Sequence, residues 1–528
     1  MSLAAAQKCE EFKVGFEHVF SQQFVLHPSG GLDLPGFEQL PFSDSFLYFG
    51  NTLPVASSKS ELQNFDRELI VLGRAVDAEG ELVNSRRLNR VLNSVSDLGA
   101  ITSYIETLAG RYVVLLKYGA DKRLYLDPSG TMGVVVNTET NAIGSTNYMV
   151  LDRGEEPEPD YPPGHQRYRC AFGYSIDRRI RVLQPNFYYD LRTGEQIRHW
   201  PRDGDFSCRT LEELDSLVER VARRHSQIIG ALSKAEGPVL LPLSGGQDSR
   251  QLFAMTQKFN CKIDLHFTHA TNWSSGVDTE LAARLCEIEK VDLTTYDARH
   301  EQNTLRPRAV RRILSERSLA RGEINCSPAN FDPKVMKGRI KSEGNIISVT
   351  RMPPKGGCLL RGHVSDISKA VLWRGAGVNA QDKVGDPLRW PRIGVKLMML
   401  GEDAHRSEWF SSQYQRWLSG LPDCVRHRSI DFMGLELYRT YTLGAGFYAL
   451  NNNFYMSPGC DRQIIRDLVS VPVRIRHELQ FNDRLLELTA PQLLDVPYMR
   501  KADNELRRVR PSLKENLEYY GLSEGAWV

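Results

Sequence analysis

Residues 239–250 read VLLPLSGGQDSR, and this stretch decides the fold that the sequence predicts. It begins with an apolar run that is typical of a buried strand, and a helix is predicted to begin directly after its two glycines. A strand that leads through Ser-Gly-Gly into a helix leaves backbone N–H groups facing a ligand, and the helix N-terminus adds positive partial charge. We therefore predict a phosphate-binding loop, in which Gly245 and Gly246 let the backbone approach the ligand and Ser244 and Ser249 donate hydroxyl hydrogen bonds.

Asp248 indicates that this loop works with a metal ion. The loop lacks the Lys of a Walker A motif and the spacing of a GxGxxG dinucleotide-binding motif. A carboxylate would repel phosphate oxygens unless a divalent cation lay between them, and Mg²⁺ is the hard cation that prefers oxygen ligands. Asp248 is therefore predicted to bind Mg²⁺. Arg250 either contacts phosphate or pairs with a neighbouring group.

The residues after the loop predict a parallel sheet. Strands are predicted over 262–269 and 291–297, with a helix over 278–290 between them. Alternation of strands and helices at this spacing is typical of right-handed βαβ units. Pro242 would remove a ladder hydrogen bond from a central strand, but its place near the strand end makes this tolerable. From about residue 365 the chain is predicted to be mostly helical.

The first 200 residues predict a different architecture. The runs RYVVLLKYG (111–119), KRLYLD (122–127) and GVVVNT (133–138) are short and rich in β-branched and aromatic residues, and the Asp-Pro-Ser-Gly of 127–130 is a strong turn signal. Strands spaced this closely favour antiparallel hairpins. A helix over 98–109 is predicted to precede them.

An amphipathic helix over 210–232 marks the change between the two halves. Its Leu, Val and Ile residues recur at helical intervals, Thr210 is a candidate N-cap, and Glu213 completes a capping box. We place a domain boundary near residue 205, which predicts domains of 1–204 and 205–528.

Composition narrows the class of protein. The chain has 528 residues, a formal net charge of +2 and 41% hydrophobic residues, so neither nucleic acid nor a membrane is an expected partner. No apolar stretch approaches the roughly 20 residues that span a bilayer, and the N-terminal sequence becomes charged too early for a signal peptide. The nine cysteines form no CxxC pair, which indicates reduced thiols and a cytoplasmic protein.

The Ser-Gly-Gly-x-Asp-Ser string resembles the signature loop of the ATP pyrophosphatase superfamily, whose members cleave ATP to AMP and pyrophosphate. The segment 108–146 resembles the glutaminase domain of the asparagine synthetase and β-lactam synthetase family, with Gly110, Asp127, Gly130 and Ser145 in the family's order. This resemblance implies an α+β N-terminal domain of the Ntn type with αββα layers. It also implies an α/β C-terminal synthetase domain with a parallel sheet, similar to the adenine nucleotide α-hydrolases.

The N-terminal half departs from that family at its nucleophile. Glutaminases of this group use an N-terminal Cys, whereas this chain begins Met-Ser-Leu and its first cysteine, Cys9, lies inside AQKCEEF. Ser2 would become the N-terminus after removal of Met, but no surrounding motif supports a role for it. We therefore predict an inactive glutaminase-like domain, and an amine other than ammonia from glutamine.

The segment LLRGHVSDISKA (359–370) is similar to a second family motif. Gly362, a nucleotide-site residue in the family, and Asp366 match it, and Val364 replaces a glycine. Asp366 is the second residue expected to bind the metal. His363 stands where the β-lactam synthetase branch has a Tyr that acts with a Glu as base.

Three further assignments follow from the same resemblance. Glu436 lies near the matching Glu, so that His363 and Glu436 would form a basic dyad, although a surface His and an unrelated helix Glu are an equal alternative. Lys501 matches a lysine that neutralises charge on the reaction intermediates. Adenine is expected to bind at the end of the second strand, at Phe267 and Thr268, largely through backbone groups.

The function expected from these residues is AMP-forming amide ligation with ATP and Mg²⁺ as cofactors and a small carboxylate and an amine as substrates. Three alternatives stay open: a working glutamine-dependent synthetase, a tRNA-modifying ATP pyrophosphatase, and a non-catalytic nucleotide-binding scaffold. Assembly into a homo-oligomer is also left open.

Overall fold

The computed structural model of the chain contains two antiparallel sheets and one parallel sheet. It describes residues 3–12, 15–62, 65–158, 170–175, 177–270, 273–297, 353–376, 389–398, 404–438, 440, 444 and 452–498. The predicted residues Ser2 and Lys501 lie outside the described residues. The mixture of α and β structure, with antiparallel pairing in the first half and parallel pairing in the second, agrees with the sequence prediction.

The strands of the first half pair in two separate antiparallel sheets. In chain order they are β1 (Phe24–His27), β2 (Phe37–Phe42), β3 (Ser45–Gly50), β4 (Val55–Leu62), β5 (Phe65–Val76), β6 (Ala109–Tyr118), β7 (Asp121–Leu126), β8 (Val135–Asn137), β9 (Ile143–Gly144), β10 (Ile180–Val182), β11 (Phe187–Asp190) and β12 (Gln196–Arg198). Among the described residues, one sheet has the order β10-β8-β9-β1-β3-β2 and the other β12-β11-β7-β6-β5-β4. The hairpin predicted over 111–127 is confirmed as β6 and β7.

Helices cover the outer face of each of these sheets. They are α1 (Ala4–Phe12), α2 (Phe16–Val19), α3 (Ser85–Ser94) and α4 (Leu98–Glu106). Strand alternation shows how the layers are built, because Ile70 and Leu72 of β5 pack between the two sheets while Leu69 and Val71 pack under α3 and α4. The helices α1 and α2 pack against the other sheet. The layers therefore run helix, sheet, sheet, helix.

The second half is built on a parallel sheet. Its strands are β13 (Val239–Pro242), β14 (Leu265–Ala270), β15 (Thr294–Asp297), β16 (Cys358–Leu360) and β17 (Phe454–Met456). Their order is β15-β14-β13-β16-β17 in the described residues, and each pair is parallel. Pro242 is the last residue of β13, and the pairing of β13 with β16 involves only Val239 and Leu240 of β13, so the missing N–H of Pro242 disturbs little of the ladder.

Helices follow and surround these strands. They are α5 (Leu211–Leu232), α6 (Gln247–Lys258), α7 (Trp273–Glu289), α8 (Val371–Ala376), α9 (Arg389–Leu397), α10 (Glu408–Ser419), α11 (Asp423–Arg426), α12 (Ser429–Met433), α13 (Arg462–Ser470), α14 (Val473–His477) and α15 (Gln480–Thr489), with a π-helical turn at Gly434–Tyr438. The helix predicted over 210–232 is confirmed, including its N-cap Thr210. Within the described residues, no helix is both long enough and apolar enough to cross a membrane.

The two halves share one core and several buried hydrogen bonds. Val76, Ala109 and Trp200 of the first half pack in the same apolar cluster as the helices of the second. The N–H of Gly110 donates to the carbonyl of Cys460 over 2.8 Å. These contacts fix the first half against the loops that follow β16 and β17. The predicted boundary near residue 205 falls between β12 and α5, which begins at Leu211.

Candidate functional site

The candidate site lies where the order of the parallel sheet reverses. The first strand, β13, has β14 on one side and β16 on the other, so the loops after β13 and β16 lead away from each other. Ligands of open α/β sheets bind in the crevice that such a switch point creates at the carboxyl ends of the strands. The predicted loop Ser244–Ser249 follows β13, and the predicted motif Gly362–Asp366 follows β16.

Hydroxyl groups hold the Ser244–Ser249 loop in a closed turn. The hydroxyl oxygens of Ser244 and Ser249 lie 3.1 Å apart, and the Ser249 hydroxyl accepts a hydrogen bond from the Ser244 N–H over 3.2 Å. The N–H of Gly246 donates to the Ser244 hydroxyl over 3.2 Å. The helix α6 then begins at Gln247, so its N-terminus points toward the crevice.

Gly245 lies close to α7. Its N–H donates to Oδ1 of Asp278 over 2.8 Å, and a Cβ at this position would lie 2.5 Å from Cδ1 of Leu281. A side chain at position 245 would therefore press against α7, and contact between Gly245 and a phosphate stays a prediction. Asp278 was not predicted from the sequence, and burial raises the pKa of its carboxyl group, although the Gly245 N–H lowers it.

The two motifs touch through Gly362. A Cβ at position 362 would lie 2.4 Å from Cβ of Asp248, so only glycine allows this approach. Val364 follows with a φ of 71°, in the left-handed region where the matching family motif has a glycine. Its side chain is nonetheless buried, at 5% exposure. The loop after β16 therefore holds a valine in a backbone conformation that is unfavourable for β-branched residues.

A lysine joins the two predicted metal ligands. Nζ of Lys369 lies 2.7 Å from the Asp248 carboxylate and 3.2 Å from Oδ1 of Asp366. The two carboxylates are therefore close together, as the sequence predicts. Lys369 was not predicted, because nothing in the sequence shows that it faces a residue more than a hundred positions away.

The loops after β13 and β16 line one shared cavity of about 300 Å³. Its lining includes predicted residues from both motifs: Ser244, Gly246, Asp248, Ser249, Gly362, His363 and Asp366. From β14, the lining residue is His269. Burial, followed by the charge of Arg361, lowers the pKa of the His269 imidazole, so this ring is neutral near pH 7.

Phe267 and Thr268 do not line this cavity. Phe267 is fully buried, packs against the Tyr296 ring, and its carbonyl accepts a hydrogen bond from the Leu243 N–H over 2.7 Å. Thr268 is 1% exposed and pairs with Thr295 of β15. Of the three residues 267–269, only His269 lines the cavity, and the adenine contact expected at Phe267 and Thr268 stays a prediction.

The predicted dyad of His363 and Glu436 is not formed. In the described part of the chain, Glu436 accepts hydrogen bonds from Asn186, Trp417 and both terminal nitrogens of Arg198, at 2.8–3.1 Å, and none from His363. Its side chain is fully buried. Glu436 thus connects the two halves of the chain, and its carboxylate is committed to that role.

His363 and Asp366 also line a smaller pocket beside the cavity. Its walls are mostly apolar: Val364, Ile367, Val371, Leu372 and Leu435, with Ser129 contributed by the first half of the chain. Asp431 also reaches this pocket, but it forms a buried ion pair with Arg476 at 2.8 Å. His363 therefore lies between a polar cavity and an apolar pocket.

Arg250 does not face the cavity. It is fully buried and donates hydrogen bonds to the carbonyls of Leu493, Val496 and Pro497. Its guanidinium also lies 4.1 Å from the ring centroid of Tyr498, one of the last described residues of the chain. Arg250 thus attaches the segment that leads toward Lys501 to the helix carrying Asp248.

Asp127, which belongs to the segment that resembles a glutaminase domain, holds a turn of the first half. Asp127 accepts hydrogen bonds from Ser129, Thr131, Met132 and the Cys460 thiol, which secures its turn against the second half. Cys9 lies on α1, is 3% exposed and packs into the apolar core against this helix.

The donor set fits a magnesium ion that is shared with phosphate. Among the described residues, no group of three or more His, Cys, Asp and Glu side chains is arranged to hold a metal ion. Mg²⁺ in phosphate-transfer sites commonly has one or two carboxylate ligands and takes the others from water and the substrate phosphates. Asp248 and Asp366 could supply that pair.

No protein-family model matches the chain, and no curated protein matches it.

Proposed function

We propose that this protein is an AMP-forming amide ligase of the asparagine synthetase and β-lactam synthetase type. The observation that carries the proposal is the meeting of the Ser244–Ser249 loop with the Gly362–Asp366 loop around one cavity of about 300 Å³. Hydroxyl groups, a helix N-terminus and two carboxylates converge there, which is the chemistry that a metal-bound pyrophosphate group requires.

The reaction would proceed in two displacements. A carboxylate attacks the α-phosphate of ATP and releases pyrophosphate into the Ser244–Ser249 loop, and an amine then attacks the activated carbonyl and releases AMP. Asp248 and Asp366 would hold Mg²⁺, which would neutralise the departing pyrophosphate. The apolar pocket next to His363 has a volume of only about 30 Å³, so it would hold a small apolar group of a substrate whose remainder lies in the cavity.

His363 is proposed to accept the proton of the attacking amine. It lies at the boundary between the cavity and the apolar pocket, where the two substrates would meet. Glu436 has no part in this step, because its carboxylate is bound to Arg198, Asn186 and Trp417. Lys501 remains a proposed charge-neutralising residue.

The first half is proposed to be an Ntn-type glutaminase domain without its activity. Its helix, sheet, sheet, helix layers support the fold, and the burial of Cys9 supports the loss of glutamine hydrolysis. Purified protein is expected not to hydrolyse glutamine. Hydrolysis that disappears in Ser2→Ala or Cys9→Ala would favour a working amidotransferase.

ATP–pyrophosphate exchange with a panel of carboxylic acids tests the ligase. We expect wild-type protein to catalyse exchange with at least one acid and Asp248→Asn to reduce it by roughly 100-fold or more, because the metal loses a ligand. Asp423→Asn is the matched control, since the Asp423 side chain is 87% exposed on α11. Exchange that survives in Asp248→Asn would contradict the metal role, and ATP binding without exchange for any acid would favour a nucleotide-binding scaffold.

A further inference from the structure

The ammonium of Lys369 occupies the space between the two carboxylates that are proposed to bind the metal. It lies 2.7 Å from Asp248 and 3.2 Å from Asp366, which makes it a cation already bound by both. The side chain of Lys369 is 14% exposed and each carboxylate is 31% exposed, so water screens this group only in part.

The local fold directs Lys369 to this place. Asp366 and Lys369 are the second and last residues of a 3₁₀ turn, Ser365–Lys369, and residues three apart in such a turn lie directly above one another. The Ser368 hydroxyl donates to the carbonyl of Ser365 over 2.7 Å, which stabilises the turn. Asp248 reaches the pair from α6 because Gly362 allows the two loops to touch.

The charges make the lysine and a divalent cation competitors for the same two carboxylates. Taken by themselves, the two carboxylates and the bound ammonium carry a net charge of −1, and a second cation beside that ammonium would meet strong repulsion at such short range. If the ammonium moves away, the same carboxylates carry −2 and match a divalent ion. The position of the lysine therefore sets how easily a metal can enter.

We propose that Lys369 is an internal competitor of the metal ion, so that a divalent cation binds between Asp248 and Asp366 only when the ammonium leaves. This inference rests on the proposed function, because it assumes that these carboxylates bind a metal. In the absence of metal, Lys369 keeps the two carboxylates together. The phosphates of a nucleotide add the negative charge that favours exchange of the ammonium for the metal.

Binding of Mn²⁺ alone, followed by electron paramagnetic resonance, tests the competition without any measurement of activity. We expect Lys369→Met to bind Mn²⁺ about tenfold more tightly than wild type, which corresponds to about 1.4 kcal/mol. Lys262→Met is the matched control, since Lys262 pairs with Asp264 at 2.9 Å on the surface and should leave Mn²⁺ affinity unchanged. Equal or weaker binding by Lys369→Met, including no binding by either protein, would overturn the proposal.

Thermal stability gives a second measurement of the competition and also shows whether the Lys369→Met variant is folded. Lys369→Met should have a lower Tm than wild type without metal, because the carboxylates then repel each other, and Mn²⁺ should raise the Tm of the variant more than that of wild type. Lys369→Gln serves the same purpose if the Met variant does not fold. The proposed ligase fails separately, if Asp248→Asn leaves ATP–pyrophosphate exchange intact while Lys369→Met still tightens Mn²⁺ binding.

Discussion

Gly362 is the residue on which the meeting of the two loops depends. Replacement by Ala would place Cβ 2.4 Å from Cβ of Asp248 and 3.1 Å from its carbonyl carbon, so the backbone must shift. We expect Gly362→Ala to lower the free energy of unfolding by about 1–3 kcal/mol, measured by urea denaturation.

Gly230 provides the matched control for this substitution. It lies inside α5, and a Cβ there would have no neighbour within 4 Å. Gly230→Ala should be neutral or stabilising by about 0.5–1 kcal/mol, because Ala loses less backbone entropy in a helix. Equal destabilisation of the two variants would contradict the close contact between Gly362 and Asp248.

His199 should make the protein sensitive to acid. Burial lowers the pKa of its imidazole to about 4, with the Arg462 and Arg202 charges acting in the same direction and Glu106 acting against them. An unfolded chain takes up this proton near pH 6.5 and the folded one only near pH 4, so stability falls as the pH drops through this window.

His199→Gln tests this dependence. Between pH 6.5 and 4 the free energy of unfolding of the variant should fall less steeply than that of wild type, by up to about 1.4 kcal/mol per pH unit. Gln still offers a donor to Glu106, which the imidazole contacts at 3.1 Å. Above pH 7 the difference between the two proteins should stay constant, and identical slopes in acid would refute the assignment.

At the scale of single residues, the sequence predicted those site residues whose positions follow from the neighbouring secondary structure. Ser244, Gly246, Asp248 and Ser249 line the cavity because a strand, a turn and a helix start impose that geometry together. The partners Asp278 and Lys369 were missed, since each contact joins distant parts of the chain. The pairing of Glu436 was wrong for the same reason, as its partners lie up to 250 positions away.

Among the secondary-structure elements, α5 has the clearest start signal. The Thr210 hydroxyl accepts a hydrogen bond from the Glu213 N–H over 3.1 Å, as the capping box predicts. Glu213 itself reaches the N–H of Arg209, one residue earlier than the standard box requires. The cap therefore satisfies two backbone donors at the first turn.

Loss of the cap should cost measurable stability. We expect Thr210→Ala to lower the free energy of unfolding by about 1 kcal/mol in urea denaturation. Ser226→Ala in the same helix is the control, because the Ser226 hydroxyl only donates to its own helix carbonyl at Arg223. That change should stay within about 0.5 kcal/mol, and a similar loss in both variants would argue against the cap.

Long periodic elements were predicted well, whereas two short strands of the parallel sheet were missed. The helix α5 and the hairpin of β6 and β7 carry many residues of consistent pattern. By contrast, β16 and β17 have three residues each, too few for periodicity to be read. Their identity comes from pairing with neighbouring strands, a long-range property that local sequence does not contain.

For the whole molecule, the buried pair of Arg198 and Glu436 connects the two halves. Both terminal nitrogens of Arg198 donate to the Glu436 carboxylate at 2.8 Å. Either Arg198→Met or Glu436→Leu leaves a buried charge without its partner and should cost about 3–5 kcal/mol.

The double variant separates this interaction from simple loss of packing. Arg198→Met combined with Glu436→Leu removes both charges, so its loss of stability in urea should be clearly smaller than the sum of the two single losses. Additive losses would mean that the two side chains act independently.

The turn at 127–130 determines whether the second half of the chain could exist without the first. Asp127 accepts a hydrogen bond from the Cys460 thiol, and Ser129 forms part of the wall of the apolar pocket. A gene shortened to residues 205–528 would encode a chain whose apolar pocket is open on one side and whose core has lost Val76, Ala109 and Trp200. The second half therefore depends on the first for part of its core and for one wall of this pocket, so we expect the two halves to stay encoded in one gene.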